Sequence, residues 1–246
     1  MTSPTAEPVV APAAKPASRW EDFMDIFYAP STVYARRQNQ SPWPTIIIVT
    51  VLLTLVTVLT FGRMEPAVEA ELRQAAAKQI AKNPQMSADM ADKSVSFGLI
   101  GKKWGIVFFP LGALIAAIFV WIVAKLVGAK ETFQGALVVV TYSSIIAIVQ
   151  AIVVGAQALV MDVSNLTTPD QLSLSAARFL DKATASPALY TVLKQLDVFG
   201  IWALVVMAIG VKVTGKTSRN GAIAFGLIWW VLGTLITMAF AIRAAA

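Results

Sequence analysis

Five stretches of this sequence are apolar over the length of a membrane crossing: residues 43–61, 104–127, 136–161, 196–213 and 221–242. A hydrocarbon core about 30 Å thick takes about 20 helical residues to cross. Inside it, each backbone N–H and C=O must find its partner within the protein, and for a single run of chain the α-helix does this. The chain is therefore read as all-α: a polytopic membrane protein whose membrane domain, 43–242, is a bundle of about five transmembrane helices. Two polar segments, 62–103 and 162–195, separate the runs on one side and read as helical loops. Two short basic connections separate them on the other.

Composition supports the same solvent. The chain is 57% hydrophobic and only 14% charged, against about 25% charged for a soluble domain. It has no cysteine and no histidine, which removes thiol nucleophiles, disulfides and Cys or His metal ligands. The commonest general acid/base is missing as well. The remaining acids are not gathered by any catalytic spacing, so no catalytic residue, cofactor or metal is expected and the chain is read as not an enzyme. The formal net charge of +6 is not organised into a basic run with interleaved aromatics, so no nucleic-acid partner is expected. Lys and Arg on the short connections serve orientation instead.

The N-terminal 1–17 is rich in Pro and Ala without periodicity and is expected to be disordered. An amphipathic juxtamembrane segment, 18–42, follows. Ser18 with Glu21 forms a capping-box pattern. Trp20, Phe23, Met24, Phe27 and Tyr28 then recur at i, i+3, i+4, i+7 and i+8, placing them on one helical face, with Glu21, Asp22 and Asp25 on another. Such a helix suits either the lipid interface or docking of a protein partner, and its acids favour the second somewhat. Within the third run, Ser143, Gln150 and Gln157 are spaced by seven and form an intramembrane polar stripe. Amides facing lipid are costly, so the stripe should point into the bundle. There it serves interhelical hydrogen bonding or lines a path.

Three stretches, in order, resemble the Yip domain family (the Ypt/Rab-interacting-protein superfamily), in its bacterial form. Residues 20–34, WEDFMDIFYAPSTVY, are similar to the family's opening aromatic segment. Residues 128–142, GAKETFQGALVVVTY, are similar to its Gly–Phe–Tyr signature after the second span. Residues 196–210, LDVFGIWALVVMAIG, with the basic turn after them, resemble its fourth span. One departure is visible: the family often carries a Pro shortly after the Tyr, where this chain has Ser143 and Ser144 leading into Ile145.

The resemblance implies a non-enzymatic membrane protein. Eukaryotic relatives interact with small GTPases and organise Golgi and ER membranes. Some bacterial relatives accompany ABC-type exporters. No GTPase-binding surface is legible here. The expectation is an adaptor, accessory or organising subunit of a membrane complex, in contact with lipid and with an ABC-type exporter or a second copy as partner. The alternative is a small-molecule or ion transporter or channel lined by Ser143, Gln150 and Gln157. The positive-inside rule places the N-terminus in the cytoplasm of a bacterial inner membrane and the C-terminus on the outer side.

Overall fold

A computed structural model describes residues 18–245, apart from 84, 164, 165 and 183. The expected disordered tail, 1–17, lies outside the described residues. All regular structure among the described residues is helical: α1 (Arg19–Tyr28), α2 (Pro30–Arg37), α3 (Trp43–Lys82), α4 (Ala88–Trp104), α5 (Phe109–Leu126), α6 (Phe133–Ser143), α7 (Ile145–Val160), α8 (Pro187–Gln195), α9 (Val198–Thr214) and α10 (Arg219–Ala245). Four stretches, Trp43–Lys82, Ala88–Leu126, Phe133–Val160 and Arg219–Arg243, are long and apolar enough to cross a membrane, and Val198–Thr214 is a shorter apolar helix. At 17 residues, α9 rises about 25 Å, the lower end of what a crossing needs. The chain is an integral membrane protein of all-α class.

The run 43–61 is only the first half of α3. The helix continues to Lys82 with Pro66 inside it, although Glu65-Pro66 reads as a fresh helix start. A proline within a helix normally costs about 3 kcal/mol. Packing offsets that cost, because the far half of α3 lies along α4, burying Ala76, Ala91 and Val95 with Leu72 and Leu99. The second run begins in α4 and passes through a 3₁₀ turn, Gly105–Phe108, into α5. Pro110 follows at the second position of α5, where its missing N–H costs nothing.

The third run is two helices interrupted at Ser144. The Ser143 and Ser144 hydroxyls both donate to the Val140 carbonyl, at 3.0 and 2.7 Å. Side-chain capture of a helix carbonyl competes with the backbone ladder, so two serines stand at a break where the family often has Pro. Ser186-Pro187 opens α8 as an N-cap and N1 pair. That helix does not run on into α9: Asp197 intervenes and caps α9 anew.

The core lies where α6 and α7 meet α2, α3, α5 and α9. Residues 135–143 are all buried, and Ile145, Ile146, Phe199, Val206 and Phe225 close around them. At one end of the bundle the two short connections abut, with the Lys130 N–H donating to Gly215 O at 2.7 Å. At the other end stand the α3–α4 hairpin and segment 162–196. These are joined by an ion pair between Lys182 and Glu71.

Candidate functional site

The N-terminal hairpin is where the bundle concentrates its buried charge. Ser18 accepts from Glu21 N, while Glu21 accepts from the Ser18 N–H, so the capping box forms as the spacing predicts. Pro30 then opens α2, and the two helices run antiparallel, bringing Arg36 and Arg37 back to the acids of α1. Asp22 has no exposed surface. It accepts from Arg36 Nε at 2.6 Å, Arg37 Nε at 2.6 Å and the Tyr142 hydroxyl at 3.4 Å. Arg36 also donates to Asp25 at 2.6 Å. Tyr142 further shares a 3.1 Å hydrogen bond with Thr45, so α1, α2, α3 and α6 converge on one carboxylate. The fully buried Tyr34 hydroxyl donates to Val139 O at 3.3 Å.

Register shows how far the hairpin enters. Tyr34 fills the space left by Gly210, where an added Cβ would come within 2.8 Å of its ring. Phe27, near the turn, packs edge-on to Trp202 with centroids 5.2 Å apart. Trp202 lies twelve residues before Thr214, roughly 18 Å along α9. The hairpin is thus inserted alongside α9 with its turn towards the bundle's middle.

This insertion divides the aromatic face. Phe23 and Phe27 pack on the core with the buried Ile26. Trp20, Met24 and Tyr28 stay outward at 63%, 65% and 73% exposure. The physical reason lies in the other half of the wheel: Asp22 must meet Arg36 and Arg37, which rotates its side of α1 inward and takes Phe23 with it. Asp22 and Asp25 are ion-paired within the hairpin, Glu21 serves the helix cap, and an apolar stripe remains outside.

A second buried carboxylate holds the basic end together. α5 ends in a Schellman motif, with the Ala129 N–H bonded to Ala124 O and the Gly128 N–H to Lys125 O. Gly128 adopts φ 74°, a left-handed position that suits glycine. Glu131, 1% exposed, then folds back to accept from Thr132 N at 3.1 Å and from the Thr214 hydroxyl at 2.6 Å. Gly135 leaves the room for this, since a Cβ would sit 2.1 Å from the Glu131 carboxylate as placed. Burial pushes the Glu131 carboxyl above its ordinary value, opposed by the hydrogen bonds from Thr214 and Thr132 and by the charge of Lys125. Trp121 Nε1 donates to Glu131 O at 3.1 Å. The glycines of the GAKETFQG stretch thus shape a clasp between α5, α6 and α9.

The polar stripe does not converge on one point. Ser143 donates to Val140 O of its own helix. The Gln150 amide donates to Asp197 Oδ1 at 3.1 Å, on the oxygen that also receives Phe199 N and Gly200 N at the start of α9. The Gln157 amide donates to Leu172 O at 2.9 Å and its oxygen accepts from Arg178 at 3.2 Å. The stripe therefore ties α7 to the α9 cap and to the segment before α8. That segment carries its own clamp: Asp170 accepts from Tyr190 and Lys194, each at 2.9 Å. Burial raises the Asp170 carboxyl, but the Lys194 charge and these bonds outweigh it, and the net direction is down.

The aromatic face and the amide stripe are legible in the sequence. The roles of Asp22, Arg36, Arg37, Tyr142 and Glu131 are not. A signal existed for Glu131, an acid between two apolar runs and four residues from a glycine. For Asp22 the only signal was two adjacent arginines beyond a Pro. Among the described residues, no group of three or more acids is placed to hold a metal.

The family model described as the Yip1 domain matches residues 24–240. A curated relative, "Membrane protein YknW" of Bacillus subtilis (strain 168), is 24% identical over 210 residues, covering 82% of this chain and 84% of the relative. No solved structure matches the chain.

Proposed function

This chain belongs to the Yip1 domain family, and on that premise we propose that it is a non-catalytic adaptor or organising subunit of a membrane complex. One observation carries the reading. Asp22, Asp25, Arg36 and Arg37 pair with one another within the N-terminal hairpin, and Tyr142 ties Asp22 to the bundle, while Trp20, Met24 and Tyr28 face outward as an apolar stripe on that fixed support. A side chain held this way presents a surface at small entropic cost to whatever covers it. The acids also support a non-catalytic role: Asp22 is ion-paired, Glu131 is a clasp and Asp197 is a helix cap. The partner that fits best is another membrane protein, with an ABC-type exporter the first candidate and a second copy of the chain the next. The setting is a bacterial inner membrane with the hairpin entering from the cytoplasm, the side on which Lys125, Lys130, Lys212 and Arg219 fall.

The test is photocrosslinking in cells. A photoreactive residue at Trp20, Met24 or Tyr28 should give one discrete protein adduct shared by all three positions. Ile47 and Leu59, exposed on α3, should not give it. If all five positions behave alike, the stripe is ordinary lipid-facing surface and the adaptor reading fails. Transport along Ser143, Gln150 and Gln157 is less well supported, because both amides already donate to protein acceptors.

A further inference from the structure

The face between α9 and α10 combines two things that elsewhere in the chain are separate. An apolar groove of about 530 Å³ runs between the two helices, walled by Leu204 and Ile223 and floored by Ala208 and Gly226. At its basic end it is flanked by Lys212 and Arg219, which belong to the same lining. Both cations are exposed, and neither has an ion-pair partner among the described residues. Glu131, on the neighbouring connection, is buried and turned inward onto Thr214 and Thr132. Lys212 and Arg219 are thus left open to an anion from outside the described residues.

From this we infer that the groove is a binding site for one anionic phospholipid, its acyl chain along Ala208 and Gly226 and its headgroup phosphate between Lys212 and Arg219. The match is one of charge and depth together. The turn joining α9 to α10 sits at the end of both apolar helices, the level at which a headgroup lies. An arginine there offers a planar fork to phosphate oxygens and a lysine adds a point charge. Small residues on the floor leave room for a chain beneath that level. Orientation of the protein accounts for basic residues at this end, but it does not account for two of them lining an apolar slot to which Lys125 and Lys130, on the neighbouring connection, do not contribute.

Native mass spectrometry of the full chain in mild detergent tests this, with dioleoyl phosphatidylglycerol and dioleoyl phosphatidylcholine added in turn. Two cations at the headgroup level, at about 1 kcal/mol each, predict a preference for the glycerol lipid of about thirtyfold. Lys212→Gln with Arg219→Gln should remove that preference, and Lys125→Gln with Lys130→Gln should keep it. Gly226→Leu, which fills the floor, should weaken both lipids alike. Equal binding of the two lipids by the unaltered chain overturns the inference. So does loss of the preference in the Lys125 and Lys130 variant, since attraction is then diffuse. A dimer abolished by Gly226→Leu but undisturbed by added lipid overturns it too, because a second copy then owns the groove.

Discussion

Two helical hairpins flank the spans, and they handle charge in opposite ways. In α3–α4, Arg73 bridges Glu69 and Asp92, and Lys93 meets Asp89, all through side chains largely open to solvent. Beneath them lies a small buried cluster of Ala76, Ala91 and Val95, separate from the main core. In α1–α2, Asp22 is completely enclosed and Arg37 nearly so, and the apolar residues around them belong to the main core. Exposed pairs gain little, about 0–1 kcal/mol. A buried pair has to overcome desolvation, and removing one partner leaves a charge stranded. The first hairpin is thus kept out of the bundle by polar surface, and the second is held in it by a few groups that fit in only one arrangement.

The largest expected break in this contrast is Asp22→Ala. It removes the buried carboxylate that Arg36 and Arg37 share, while Arg36 keeps Asp25, and should cost about 3–5 kcal/mol, read as a drop in the thermal unfolding midpoint of the purified protein. Replacing Arg36 and Arg37 by Leu in the same chain should recover much of the loss. An Asp22 variant as stable as the parent would mean that the hairpin is not held by its charges.

Next is Gly210→Leu, whose side chain meets the Tyr34 ring and Val139. Overpacking of this kind costs about 1–3 kcal/mol and should lever the hairpin outward. The chain has no native cysteine, so Ile26→Cys, buried in the parent, reports the change as a gain in maleimide labelling.

Glu131→Gln sharpens the comparison on the other buried acid. Its folded carboxyl is raised by burial, so it contributes most below its unfolded value, near 4.5, and that contribution is lost as pH rises through the folded value. The parent should therefore lose stability as pH climbs from the ordinary carboxylate range, and the Gln variant should lose less. Parallel melting curves for the two across that range would refute the clasp's titration. The smallest effect belongs to Arg73→Ala on the exposed hairpin, under about 1 kcal/mol. A loss matching that of Asp22→Ala would erase the distinction between the hairpins.

Much of the fold was legible because each apolar run answers to a single rule about backbone pairing in lipid. The capping box at Ser18, the Ser186-Pro187 start of α8 and the two basic connections follow from residues close together in the chain. The unbroken α3 was not legible, because Pro66 is a local signal and its tolerance depends on α4. Nor was the split of the aromatic face. Periodicity places Trp20 and Phe23 on one side of α1, but which part turns inward depends on Arg36, Arg37 and Tyr142.

That this chain lives in a membrane, that it is helical, roughly where each span lies, and which chemistries it lacks the side chains to perform are legible without a fold. These follow from composition and short-range spacing. What its polar residues are for depends on how the helices pack. Asp22 lies 120 positions from Tyr142, and Glu131 lies 83 from Thr214. A carboxylate in an apolar interior needs hydrogen-bonding partners, and no local pattern announces those that arrive from such distances.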